Sequence, residues 1–177
     1  ESNKDHDGMQ LIDVDNIKES ENNFSDKSYD DYYSNSSLFT LFTSGSTGTP
    51  KAITHNVSDY LDYAKYSSNY FFGINNKSTI FTAVDAGWIN GHTYAFYGPL
   101  LLGAISIIIE NPILISMPEL LAEYLANLKV DCFYTSVTQL RLIKSVVENK
   151  KTIFDFTKND INLDRIGSCG EPLAHSV

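Results

Sequence analysis

Ala104-Ile-Ser-Ile-Ile-Ile109 is a short apolar run with a single hydroxyl inside it. It is too short for a typical helix and too continuous for a strand with one wet face. It reads as a strand buried on both sides, and such strands belong to parallel sheets covered by helices. The surrounding chain agrees. Thr79-Ile-Phe-Thr-Ala-Val84 reads as a strand before it, and Cys132-Phe-Tyr-Thr135 and Asp164-Arg-Ile-Gly167 as strands after it. Between them, Gly91 to Leu102, Pro118 to Leu128 and Val137 to Glu148 read as helices, with Pro118 suited to a first turn. The expected fold class is α/β, a partial doubly wound parallel sheet with flanking helices.

Upstream, Ser37-Leu-Phe-Thr-Leu-Phe-Thr43 alternates like a strand, and Lys51-Ala-Ile-Thr-His55 reads as a second. The small-residue stretch Ser44-Gly-Ser-Thr-Gly-Thr-Pro50 joins them. Asp59 to Phe72 has helical spacing, with Tyr60, Leu61, Ala64 and Tyr70 near one stripe and Gly73 as its stop. Residues 1–35 are different: ten acids, three lysines, one Gly and no Pro. They are expected to form an acidic, loosely ordered leading segment, with residues 36–177 as the folded domain. Asp13-Val-Asp15-Asn-Ile17 is no calcium loop, because Ile17 replaces an oxygen ligand and Lys18 stands where the loop needs Gly.

The chain has 177 residues, 42% hydrophobic, with a net charge of −9. That is enough apolar material for a core, and it makes nucleic acid an unexpected partner, since phosphate backbones are held by clustered Lys and Arg. Cys132 and Cys169 form no metal-ligand spacing and no disulfide framework, which favours a reducing, cytoplasmic setting. Ala86 to Ile109 carries no Asp, Glu, Lys or Arg, yet Asn90, Gly91, His92, Gly98-Pro99 and Gly103 interrupt it. A spanning helix needs about 20 mostly apolar residues, so no membrane partner is expected.

The densest chemistry lies in Thr43-Ser-Gly-Ser-Thr-Gly-Thr-Pro-Lys51. Gly45 and Gly48 let the backbone turn its N–H groups inward as an anion nest, and Thr43, Ser44, Ser46 and Thr47 add hydroxyls. Lys51 adds one positive charge, a set that suits a polyphosphate. It is not a Walker loop, which ends in Gly-Lys-Ser/Thr and opens a helix. The plainer alternative is a flexible Ser/Gly hairpin loop. His55 and His92 lack partners for a Ser-His-Asp arrangement, so hydrolase chemistry is not indicated and no catalytic residue is assigned.

The same stretch resembles the phosphate loop of the adenylate-forming enzymes. Asp85-Ala-Gly-Trp-Ile-Asn-Gly-His92, Tyr94, Tyr97-Gly-Pro-Leu100 and Gly167-Ser-Cys-Gly-Glu-Pro172 resemble that superfamily's acetyl-coenzyme A synthetase branch. The resemblance runs from about Leu38 to the end and implies a fragment of a large N-terminal AMP-binding domain. It implies a two-step ligase with ATP and coenzyme A as substrates and Mg2+ as helper, no ligand for the metal being identified. A carboxylate, acetate first, would form acyl-AMP and pyrophosphate, and the thiol would then displace AMP. Resemblance places Ser44 to Thr47, Gly48 and Lys51 on the phosphates, and Gly170, Glu171 and Pro172 along the adenosine. It makes Trp88 the wall of the acyl pocket, with Ile89, Asn90 and Cys169 beside it; the amide of Asn90 offers a hydrogen bond to the carboxylate or to coenzyme A.

Several positions depart from the family's pattern. Thr49 stands for Lys, Ala52 for Gly, Ile89 for Val, Asn90 for Thr, Cys169 for Val, and Ser58-Asp59 for a Gly pair. The expected acid is therefore acetate with propionate close behind. The rivals are another short-chain acyl-CoA synthetase, an adenylation module loading a carrier protein, and a non-catalytic nucleotide-binding relic. The fragment by itself is expected to be inactive.

Overall fold

The computed structural model describes residues 36–44, 48–85, 87–109, 117–149 and 161–174. The acidic segment 1–35 and loop residues Gly45, Ser46 and Thr47 lie outside these. β1 (Ser37–Thr43) and β2 (Lys51–Asn56) form an antiparallel hairpin whose register sets Thr43 opposite Lys51 and Phe39 opposite His55. α1 (Val57–Phe72) follows without a break and stops at Gly73, whose N–H returns to Asn69 O at 2.8 Å.

Four strands then build a parallel sheet: β3 (Thr79–Thr82), β4 (Ile105–Ile108), β5 (Cys132–Ser136) and β6 (Arg165–Cys169). Their order is β4-β3-β5-β6. The chain steps outward from β3 to β4, crosses back to β5 on the far side of β3, and steps outward again to β6. Such a reversal, here between β3 and β5, opens a crevice at the carboxyl ends of the strands, where open α/β sheets take their ligands.

Side-chain alternation explains why both faces need cover. Ile80, Cys132 and Tyr134 join Ile74, Tyr94 and Ala104 in one buried cluster. Their neighbours Phe81 and Phe133 join Leu121, Leu125 and Val130 in the other. The second cluster belongs to the face of α4 (Pro118–Asn127), which has Pro118 in its first turn, and α5 (Val137–Asn149). α5 starts from a reciprocal cap: Gln139 N–H donates to Ser136 Oγ at 3.2 Å and Ser136 N–H to Gln139 Oε1 at 3.4 Å. At the other end of the sheet Asp131 gathers three strands. Its Oδ2 accepts Thr79 N–H at 2.7 Å, and its carbonyl accepts Asp164 and Arg165 N–H at 2.9 and 3.1 Å.

The helix expected over Gly91 to Leu102 exists, but it begins earlier and changes pitch. α2 (Ile89–Gly91), a π-helical turn (His92–Tyr97) and α3 (Gly98–Leu101) run head to tail. Gly98 N–H reaches back five residues to Thr93 O. Hydroxyls from the sheet hold two carbonyls of the wide turn: Thr82 Oγ1 donates to Tyr94 O at 2.9 Å and Ser106 Oγ to Ala95 O at 2.5 Å. A 3.6-residue template does not register such a turn, which is common at functional sites.

The first cluster makes the fold sensitive to alkali. Cys132 is fully buried, and burial pushes its thiol up from 9.0 to about 11 against the pull of Arg165. Tyr60, Tyr94 and Tyr134 are likewise raised above the ordinary 10.0 by burial. The folded state holds these protons more tightly than the unfolded chain, so stability is complete below about pH 9 and falls as pH rises through 11. The unfolding free energy from urea titrations should hold between pH 8 and 9 and then fall towards pH 11, by up to about 1.4 kcal/mol per pH unit for each proton so held. Cys132→Ala should flatten part of that slope. At pH 8, alkylation should modify the half-buried Cys169 and reach Cys132 only on unfolding.

Candidate functional site

The stretch from Thr43 to Lys51 is the connection of the β1–β2 hairpin. Thr43 and Lys51 face each other at its base, where Thr43 Oγ1 donates to Lys51 O at 3.5 Å, and both residues are exposed with Ser44. Gly48 has a φ of 81°, in the left-handed region, while a Cβ there would meet nothing within 4 Å. Backbone conformation rather than space therefore asks for glycine at this position.

At the other end of β2, about 10 Å along the strand from Lys51, a cavity of about 440 Å³ opens. Strand β2 contributes Thr54, His55 and Asn56, and α1 contributes Asp59, Tyr60 and Tyr63. The helical rod formed by α2, the π-helical turn and α3 closes it with Ile89, Asn90, Thr93 and Tyr94. A hydrogen-bond chain ties these walls together: the Tyr60 and Thr93 hydroxyls meet at 2.7 Å, and Thr93 Oγ1 donates to Ile89 O at 2.9 Å. Phe39 fastens the hairpin to the same place, with ring centroids 4.8 Å from Tyr60, 5.1 Å from His55 and 4.7 Å from His92. Burial keeps the Tyr60 and Tyr94 phenols protonated well past neutrality, so the walls offer neutral hydroxyls.

Of the expected acyl-pocket residues, the structure brings Ile89 and Asn90 into this cavity. Trp88 stands just outside it, 71% exposed. Its carbonyl accepts Gly91 N–H at 3.0 Å, and the turn before it is set by Gly87 N–H donating to Asp85 Oδ1 at 2.6 Å. Cys169 also stands off the lining. It ends β6, its Sγ 3.7 Å from Thr135 O, and packs on the cluster that contains Tyr94. Gly170, Glu171 and Pro172 lie exposed past the same strand, with Gly170 at a φ of 94°. The Glu171 carboxylate is already taken by Arg141 Nη1 at 2.6 Å, a partner 30 residues away that spacing does not reveal.

Sequence reasoning missed most of the cavity. Asp59 and Tyr63, Ile89 and Thr93, and Asn90 and Tyr94 are each four apart, so each pair shares a helix face. That spacing was a usable signal, but it does not say that the faces meet. Among the described residues no group of three His, Cys, Asp or Glu side chains is placed to hold a metal, and no helix is long and apolar enough to cross a membrane.

Acetyl-coenzyme A synthetase 2 of Candida albicans is 41% identical over 140 residues, covering 79% of this chain and 20% of that protein. Acetyl-coenzyme A synthetase 2 of Saccharomyces cerevisiae is 42% identical over 137 residues, 77% of this chain and 20% of that protein. The chain thus spans about a fifth of the length of the curated relatives it matches. The crystal structure of the anthranilate CoA ligase AuaEII in complex with anthranoyl-AMP superposes with a TM-score of 0.61 at 22% identity, covering 77% of this chain and 25% of that one. That likeness shows a shared α/β fold. The sequence pattern that describes AMP-binding enzymes matches residues 2–177, and the chain belongs to that family.

Proposed function

We propose that the full-length protein carrying this chain is an ATP-dependent acid–thiol ligase that acts on a short carboxylate, acetate first. In the first step a carboxylate oxygen attacks the α-phosphorus of ATP and the bond to the β-phosphate breaks, giving acyl-AMP and pyrophosphate. In the second, the sulfur of coenzyme A attacks the acyl carbonyl, AMP leaves, and the thiol proton passes to solvent. The observation that carries the reading is strand β2, with a Gly-bearing hydroxyl loop and Lys51 at one end and the cavity holding Ile89 and Asn90 at the other. Relatives named acetyl-coenzyme A synthetase, 41–42% identical, support the choice of acid.

Within this reading, Thr43 to Gly48 and Lys51 neutralise the β- and γ-phosphates, whose charge grows as pyrophosphate leaves. Ile89 and Asn90 border the acyl group, and Gly170 to Pro172 offer backbone to the adenosine while Arg141 holds Glu171. The described side chains do not form a cage for magnesium, which generally travels on the triphosphate. A cytoplasmic location belongs to the same proposal, supported by two free thiols, Cys132 and Cys169, that a reducing compartment preserves.

Carboxylate-dependent ATP–pyrophosphate exchange by the full-length protein tests this, across acetate, propionate, butyrate and glycine. The expected order is acetate, then propionate, then butyrate, although the cavity has room for more than two carbons. No exchange with any acid sinks the ligase reading. Trp88→Gly tests the wall role: a gain in butyrate exchange over acetate supports it. An unchanged ratio assigns the exposed indole to another surface.

A further inference from the structure

The cavity between β2, α1 and the helical rod has an unbalanced chemistry. Its polar groups are hydroxyls, the Asn56 and Asn90 amides and the His55 imidazole, together with the carboxylate of Asp59. Among the described residues, neither Lys nor Arg lines it. Asp59 lies in the first turn of α1, exposed, and the hydrogen bond it receives from Ser58 Oγ is long, at 3.5 Å. No ion pair to Asp59 forms among the described residues. The rings that share the lining, Tyr60, Tyr63 and Tyr94, present π faces that attract cations and not anions. A ligand tail entering here therefore meets one unneutralised negative charge among neutral groups.

We infer that Asp59 is a specificity-determining residue: it lets this cavity take carboxylic acids with uncharged or ammonium-bearing tails and turns away those with a second carboxylate. The inference rests on the ligase reading, in which Ile89 and Asn90 border the acyl group. Asp59 is wet, so its influence is a screened Coulomb effect of about three- to tenfold for a unit charge a few ångströms away.

Propionate, glycine and malonate share one carboxylate and one methylene, and end in a methyl, an ammonium and a carboxylate. Exchange catalysed by the full-length protein is measured with all three at pH 8, where imidazoles in general carry little charge. In Asp59→Asn the glycine-to-propionate ratio should fall about three- to tenfold and the malonate-to-propionate ratio rise by a similar factor. Both shifts should shrink in concentrated salt, which a merely structural effect would not do. Asp59→Ser repeats the test should the Asn variant fold poorly. Ratios that stay fixed, or that move in the same direction, overturn the inference. If the wild type shows no exchange with any acid, the ligase reading fails separately. The same acids are then titrated onto the protein with the His55 imidazole signal as readout. Glycine binding tighter than malonate, with the difference lost in Asp59→Asn, sustains the charge selection; equal binding overturns it.

Discussion

Gly98→Ala should lower stability by roughly 2–3 kcal/mol, where helix propensity alone would predict a gain of up to about 1 kcal/mol. The sign is decided by how closely α3 crosses α1. A Cβ on Gly98 would lie 1.9 Å from Ser68 Oγ, 2.9 Å from Ser68 Cβ and 2.8 Å from the Ala64 carbonyl. Ala64 and Ser68 are fully buried, so neither side can yield into solvent. Separating the helices would also strain the Tyr60–Thr93 bond two turns earlier along α1. In thermal unfolding the midpoint should fall by about 5–10 °C. Ser68 gives the control, because its buried hydroxyl makes no hydrogen bond among the described residues. Ser68→Ala alone should be neutral or slightly stabilising. Ser68→Gly combined with Gly98→Ala should recover part of the loss, since the Ala64 carbonyl remains in the way. A Gly98→Ala protein as stable as the parent would mean that the two helices sit farther apart than described.

Lys51→Met in the full-length protein should cut acetate-dependent exchange by about 100- to 1000-fold, the usual cost of removing one preorganised charge from a developing oxyanion. Lys51 is the sole cation of the loop stretch and stands at its base opposite Thr43, so no neighbour in the loop replaces its charge. Raising acetate should not restore the rate, because the loss concerns the phosphates. Lys51→Arg should retain more activity, keeping the charge but presenting a broader, planar group. A Lys51→Met enzyme within tenfold of the parent would move the phosphate contact elsewhere in the protein.

Much of the fold could be read from Thr79-Ile-Phe and Cys132-Phe-Tyr, because strands buried on both faces leave runs with few polar interruptions. Ala104 to Ile109 does hold a strand, but not one buried on both sides: β4 ends the row of described strands, and Ile105 and Ile108 are 64% and 48% exposed. Alternate residues of β3 and β5 do enter different clusters, Ile80 and Tyr134 in one and Phe81 and Phe133 in the other. The Thr43–Lys51 stretch is a different case, since its residues are adjacent and the chemistry proposed for it is local. The cavity was not legible. His55, Tyr60 and Asn90 lie on three elements, and their meeting depends on Phe39 packing among rings brought from β2, α1 and the helical rod. The Arg141–Glu171 pair was hidden in the same way, by a contact that spans β6 and most of α5. Trp88 departs from what composition alone suggests: a large apolar residue is by default core, yet it is mostly exposed.

The π-helical turn sets the angular phase of everything after it. Thr93 and Gly98 both look toward α1, one at the Tyr60 hydroxyl and the other at Ser68. Five residues of ordinary α-helix rotate by about 500°, which would leave those two positions about 140° apart. The Gly98 N–H to Thr93 O bond takes up the surplus residue and brings them onto one side. The rod can then shape a ligand cavity at its beginning and make a close helix crossing at its end, both against the same neighbour. In this stretch the number of residues is constrained independently of their identity, and a one-residue deletion would misalign two interfaces while leaving every hydrophobic side chain in place.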